Sequence, residues 1–297
     1  MSMPHHNRVG RRPGFTLIEL LVVIGIIAFL AALLVLIGPA FLKSEKSSRG
    51  AQMLQGVLFI AKQQALRDRN PYGIRLLRDP DGQVRSFQYI QQPGDFTGGK
   101  VSVTSGSQTV GFTNIDLSGG LGTDQTLWPV QPGDYLQVNT DPYHKIAAVS
   151  PNGLTLTNAY SGGTTSTDQY RIARGPRPVA GEDTIFLPDD VIIDLNLSLI
   201  NPEVVVTDPT TTPPTTIRNY DILFATSGAV MGAAGQSGRI VLWVREADPN
   251  NPSATTAPGD QTLITIFTRT GQIGAYPVDT SGPNPYSFTL DPRPGGL

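Results

Sequence analysis

The sequence predicts an α+β fold: a long N-terminal transmembrane α-helical spine packed on an antiparallel β-sheet head, with a small all-β insertion in that head. Three observations carry this expectation. Eighteen consecutive residues from Leu20 to Ile37 have neither a charged nor a polar side chain. Behind them, apolar and small residues recur at helical steps as far as Arg69. From Tyr72 onward, short runs rich in β-branched and aromatic residues alternate with Gly, Pro and Asn turns.

The apolar stretch, with Phe15–Ile18 ahead and Pro39–Leu42 behind, is long enough to cross a bilayer as a helix. Arg8, Arg11 and Arg12 precede it, and the positive-inside tendency keeps that end in the cytoplasm and sends the long C-terminal part across. A secretory signal peptide has a shorter apolar core followed by a small-residue cleavage site. Here Gly14 stands before the apolar run instead. Glu19, near the front of the segment, is the exception to its chemistry: a carboxylate at that depth costs ~2–3 kcal/mol on insertion scales and calls for a counter-charge. Cleavage after Gly14 would create one, the free α-amino group of Phe15.

The helix is expected to outlast the membrane. Ala51, Leu54, Leu58, Ala61 and Ala65 follow one another at three- and four-residue steps, with Lys46, Arg49, Lys62 and Arg69 among them. From Phe15 to Arg69 such a helix is roughly 80 Å long. Pro39 is expected to kink or locally melt it, and Asn70-Pro71 to end it.

In the head, Tyr72–Leu77 and Val84–Ile90 read as strands joined by the turn Asp79-Pro80-Asp81-Gly82. Further strands are expected at Thr184–Leu187, Val191–Leu197, Asp221–Ala225, Ile240–Val244 and Leu263–Thr268. Between them, residues 101–175 have the closely spaced strands of a small β-barrel or sandwich: Val101–Thr104, Gly133–Val138, Lys145–Val149, Leu154–Leu156 and Gln169–Ala173. A decorating module and an elaborated loop of one continuous domain both fit this stretch. Pro209–Pro214 and Asp248–Pro258 read as solvated hairpin connections, and 291–297 as a tail.

Composition excludes several functions. The chain has 297 residues, no Cys and three His. Disulfides, thiolate nucleophiles and cysteine zinc sites are therefore absent. His5 and His6 precede Gly14, so cleavage there would leave His144, read as a surface residue, to serve any triad. Asp189-Asp190 reads as a turn and not as a carboxylate pair. Asp279, Thr280, Ser281, Gly282 and Asp291 could offer oxygens to calcium, but the cluster is thin. The expectation is no enzyme, no metal and no cofactor. The first 70 residues hold nine Lys/Arg against three Asp/Glu, whereas the whole chain has a formal charge of −2. The body is thus weakly acidic, and nucleic acid is not an expected partner.

The string Arg11-Arg12-Pro13-Gly14-Phe15-Thr16-Leu17-Ile18-Glu19-Leu20-Leu21-Val22-Val23-Ile24 resembles the prepilin cleavage and methylation signal of type IV pilins and type II secretion pseudopilins. The resemblance implies that 1–14 is a leader, with Arg11 and Arg12 as its charges. It implies that a prepilin peptidase cuts between Gly14 and Phe15 and N-methylates Phe15. It also implies that Glu19 recognises a neighbouring subunit's N-terminus during assembly. The implied division is leader 1–14, helix 15–70 with its first half in the membrane, head 71–100 and 176–297, and insertion 101–175.

Ser227-Gly228, Gly238–Leu242, Ile264–Phe267 and Thr270-Gly271-Gln272-Ile273 are similar to the C-terminal sheet of GspH/FimT-type minor pseudopilins. The resemblance implies a bacterial inner-membrane protein with a cytoplasmic N-terminus and a periplasmic head. Its implied partners are the peptidase, other pilins or pseudopilins in a filament, an inner-membrane assembly platform and membrane lipid. The type II secretion pseudopilus is the first reading. A type IV minor pilin acting as an adhesin or as a ligand- or DNA-binding module through its β head is the alternative. The tail carries only Arg293, which speaks against DNA.

Overall fold

The computed structural model describes residues 17–208, 215–247 and 261–290. Helix α1 spans Leu17–Asp68. Ala51, Leu54, Leu58, Ala61 and Ala65 are all buried at 2% exposure or less, so the helical period read from the sequence is the buried face. Helical backbone continues through Pro39, without the local melting expected there. One missing N–H leaves the flanking i→i−4 bonds of a helix in place. The end falls where Asn70-Pro71 predicts it, with Arg69 in the left-handed region at φ 50°.

Strands β1 (Tyr72–Arg78) and β2 (Gln83–Gln91) follow as an antiparallel hairpin. Its turn closes with the Gly82 amide donating to the Asp79 carbonyl at 2.9 Å. The chain then leaves for a second sheet and forms β3 (Lys100–Val103), β4 (Thr109–Thr113), β5 (Tyr135–Val138), β6 (His144–Ser150), β7 (Gly153–Leu156), β8 (Thr165–Thr167) and β9 (Tyr170–Ala173). It returns through β10 (Arg177–Pro178), β11 (Ile185–Phe186), β12 (Val191–Leu199), β13 (Glu203–Asp208), β14 (Thr215–Phe224), β15 (Val230–Met231), β16 (Arg239–Glu246), β17 (Thr262–Phe267) and β18 (Gln272–Pro277).

The head sheet runs β13-β14-β1-β2-β12-β16-β17-β18. Strand β2 is its hub: β1 pairs along one side, and β10, β11 and β12 pair in succession along the other. One face carries Ile74, Leu76, Ile222, Phe224, Ile240, Leu242, Ile264 and Ile266, which form a common core with the buried face of α1. Contact is close at Gly50, where a Cβ would lie 2.6 Å from Val191 Cγ1. The opposite face holds a smaller cluster of Val241, Trp243, Leu263 and Tyr276, over which Leu197 and Tyr286 pack. Tyr286 stands edge-on to Trp243 at 5.6 Å and donates to the Leu197 carbonyl at 2.7 Å.

The second sheet runs β8-β3-β4-β7-β6-β5-β9. Its two edge strands are consecutive in the chain and only two residues apart, which curls the sheet into a small, incompletely closed barrel. Sixteen buried residues, including Val101, Leu136, Ile146 and Ile172, form a core of its own.

Strands β4, β8, β10, β13, β15 and β18 are absent from the sequence reading. Thr165-Ser166-Thr167 has no apolar alternation and β15 has only two residues. Strand β14 begins six residues earlier than expected because its polar first half pairs with β13. The expected connections 209–214 and 248–258 and the tail 291–297 lie outside the described residues.

Candidate functional site

Of the residues expected to carry processing and assembly, Arg11, Arg12, Gly14 and Phe15 lie outside the described residues. Glu19 stands in the first turn of α1, where a carboxylate complements the positive end of the helix dipole. Around it, Leu17, Ile18, Leu20 and Leu21 are 82, 72, 56 and 64% exposed. The whole of 17–31 is exposed in the chain by itself. A continuous apolar surface of this kind marks a contact with a membrane or another protein. Among the described residues no helix is long and apolar enough to cross a membrane. The expected span, Leu20–Ile37, runs into residues 32–45, whose side chains are not among those described.

Where the helix meets the head, Lys46 pairs with Asp190 at 2.9 Å, and this partner holds the Asp190 carboxyl below its ordinary range. Asp190 has φ 67° and follows Asp189 in a turn closed by the Val191 amide on the Pro188 carbonyl at 3.0 Å, as the turn reading of that pair expects. Further along, Lys62 Nζ donates to the carbonyls of Thr270 at 3.0 Å and Gly271 at 2.9 Å.

The junction between barrel and head is polar and closely bonded. Arg177, on β10, reaches back into the barrel and donates to the carbonyls of Trp128 and Pro129 at 2.9 and 2.8 Å and to Asp134 Oδ2 at 2.7 Å. Asp134 also accepts from the amides of Gln131 at 2.9 Å and Gly175 at 2.8 Å. Burial pushes the Asp134 carboxyl up, against the pull of the Gly175 amide and Arg177, and burial pushes Arg177 down. On the head side, Arg75 grips Asp221 with two bonds of 2.7 Å and donates to the Pro176 carbonyl at 3.1 Å. The sequence reading missed these four residues. The available signal was the alternation in β1 and β14, which sets Arg75 and Asp221 directly opposite each other.

His144 is buried, which corrects the expectation of a surface residue. Strand β6 starts at His144, so its parity turns both His144 and Ile146 inward. The ring lies 5.0 Å from that of Tyr160, and Nε2 is 3.3 Å from Ser161 Oγ. The nearby Asp141 accepts from the Tyr160 hydroxyl. Burial, and then that bond, push the Tyr160 phenol up to about 12.

Asp279 spends its oxygens on its own loop. Oδ1 accepts from the Ser281 amide and hydroxyl and from the Gly282 amide, and Oδ2 accepts from the Ser287 hydroxyl. Asp291 lies outside the described residues. Among the described residues there is no group of three or more His, Cys, Asp or Glu that could hold a metal ion.

Residues 10–35 match the family model of the prokaryotic N-terminal methylation motif. Among curated proteins none matches. Among solved structures, the phage phi92 endosialidase is similar at 14% identity with a TM-score of 0.21, over 70% of this chain and 36% of that one. This chain thus spans little more than a third of that protein, and a TM-score so low carries no argument. The motif is typical of prepilin peptidase substrates that assemble with other pilins, and it marks this chain as type IV pilin-like.

Proposed function

We propose that the chain is a non-enzymatic pilin-like subunit, a minor pseudopilin of a type II secretion system that assembles into a periplasmic pseudopilus for protein export. The carrying observation is the methylation motif at the start of a helix whose first turns are apolar and exposed while its later turns are buried in a β head. In this reading the segment from Phe15 to Leu42 holds the subunit in the inner membrane, with Arg11 and Arg12 on the cytoplasmic side and the head in the periplasm. The peptidase cuts between Gly14 and Phe15 and methylates the new amine. That ammonium and a neighbour's Glu19 then offset each other's desolvation penalty in the apolar filament core. Prepilin peptidase, other pseudopilins, an assembly platform and membrane lipid are the partners, and nucleic acid is not.

The GspH/FimT-type assignment is supported by the hairpins that Gly228 and Gly271 close, both at positive φ. A minor role is supported by the barrel, since a bulky addition is hard to repeat in a tight helical array. Intact mass and N-terminal analysis of protein from its native membrane tests the reading. A chain starting at N-methyl Phe15 is the expected result. A chain starting at Met1 or Ser2 would make it a simple signal-anchored protein and end the assembly mechanism.

A further inference from the structure

Alternation along β1 and β14 turns Ile74, Leu76, Ile222 and Phe224 toward α1, so Arg75, Asn219 and Asp221 fall on the other face. Glu203 lies opposite Asn219, and Asp221 opposite Arg75. The barrel sits over this polar patch with its own cross-strand pair, Tyr135 and Lys145. The two surfaces do not close on each other. Between them run two adjoining compartments of about 180 and 130 Å³. Tyr135, Glu203, Asp221 and Pro176 line both, so they form one cleft. Its volume far exceeds the ~10–15 Å³ that a single water needs.

The lining selects a chemistry. Three of its four cations face its three carboxylates: Arg75 holds Asp221, Arg177 holds Asp134, and Lys145 acts electrostatically on Glu203, while Arg174 donates to the Gly94 carbonyl at 2.6 Å. A polyamine would meet no excess of negative charge here, and a phosphate would meet only Arg174, whose guanidinium the Gly94 carbonyl already engages. The cross-strand pair Leu223 and Met231 adds an apolar floor, and the Tyr135 ring, 39% exposed, offers a flat apolar face beside a hydroxyl. Asn201 and Asn219 supply amides that both donate and accept, while Glu203 accepts and Lys145 donates. An apolar face with a few convergent polar groups is the usual make-up of a small-ligand site. The cleft is preorganised, because Arg177 ties the return segment to the barrel carbonyls of Trp128 and Pro129, and Arg75 of the head holds that segment's own Pro176 carbonyl.

We infer that this barrel–head cleft is a binding site for an uncharged sugar. One ring face stacks on Tyr135 and the hydroxyls bond to Glu203, Asn219 and Lys145. A hydroxyl donating to a carboxylate makes the short, charge-assisted bond that neutral acceptors do not give. The site is independent of leader cleavage, so it stands or falls separately from the filament reading.

The test uses the full chain in a zwitterionic detergent free of sugar headgroups. Saturation-transfer NMR is recorded with methyl glucoside, methyl galactoside and methyl N-acetylglucosaminide, and with glucuronate and glucosamine as charged rings of the same size. At least one neutral glycoside is expected to bind with a dissociation constant of roughly 1 mM, and both charged rings several-fold more weakly. Glu203→Gln and Tyr135→Ala are each expected to weaken binding by about tenfold. Asn219→Ala is the second variant should Tyr135→Ala fail to fold, with near-UV circular dichroism as the check of folding. No transfer to any neutral glycoside, tighter binding of a charged ring, or unchanged binding in the folded variants would overturn the proposal.

Discussion

Gly228 and Gly271 abut so closely that a Cβ built on Gly271 would lie 1.9 Å from the Gly228 carbonyl oxygen. The two glycines close different hairpins, β14–β15 and β17–β18, at φ 83° and 59°. Lys62 clamps the second turn from the helix, and its Cε lies 3.0 Å from where a Cβ of Gly228 would be. The helix, the β14–β15 hairpin beside one edge of the sheet and the β18 edge at the other are therefore joined at a point where no side chain fits.

Gly271→Ala is accordingly expected to destabilise the head by about 2 kcal/mol or more, combining left-handed strain with displacement of the Gly228 turn. Chemical denaturation of the variant beside the parent chain measures it. A loss below about 0.5 kcal/mol would mean that the two turns can separate freely.

The helix face makes a paired prediction. Leu58 is fully buried and Phe59, its neighbour, is 43% exposed. Leu58→Ala should cost about 2–5 kcal/mol, and Phe59→Ala about 1 kcal/mol or less, in the same denaturation experiment. Equal losses would contradict the observed docking of the helix.

A buried ion pair spans β12 and β16. Arg245 donates to Asp194 Oδ2 through Nε at 2.9 Å and Nη2 at 2.7 Å, with both side chains at 1% exposure or less. Arg245→Met strands the carboxylate and should cost about 3–5 kcal/mol, most of which the double variant with Asp194→Leu should recover. If the double variant is as unstable as the single one, the loss comes from packing and not from the stranded charge.

The Asp279 loop gives a pH signature. Bonds from Ser287 and Ser281 lower its carboxyl from an ordinary 3.8 to about 2. A depressed carboxylate contributes stability that is fully present above the unfolded value and is lost as pH falls through the folded one. The Ser281 and Gly282 amide resonances should therefore titrate with a midpoint near 2. A midpoint at 3.8 or above would show that the loop does not hold the carboxylate in solution.

At the N-terminus, Gly14→Asp is expected to leave the leader attached. Glu19→Ala is expected to be trimmed normally but to enter filaments at least about tenfold less, the weight of one lost buried counter-charge. Mass analysis of the membrane protein and immunoblots of sheared filaments separate the two effects. Normal incorporation of Glu19→Ala would remove Glu19 from assembly.

Much of the architecture could be read before any coordinates. The period of Ala51, Leu54, Leu58, Ala61 and Ala65 named the docking face, because a helix exposes its register in every turn. The strands from Tyr72 to Gln91 and the Gly82 turn were equally plain, since a hairpin is a local object with local punctuation. The Gly14-Phe15 and Glu19 motif is likewise contiguous, and needs no fold to be seen.

Partnership across the chain was not legible in this way. Nothing near Gln83–Gln91 says that this strand meets β1 on one side and three later strands on the other, because a strand's edges carry the same backbone donors and acceptors whatever joins them. Strand β13 was an exception of another kind: Val204-Val205-Val206-Thr207 is a β-branched run between Pro202 and Asp208, so its signal was local and the sequence reading missed it. His144 was read as exposed from its neighbours in sequence, while its burial depends on which residue begins β6. The cleft depended most on the tertiary structure. Tyr135, Lys145, Glu203 and Asp221 come from strands up to 86 residues apart, and each looks like an ordinary solvated residue until the barrel folds back over the head. Local periodicity and contiguous motifs are written along the chain, whereas burial, charge pairing and cavities arise where distant segments meet.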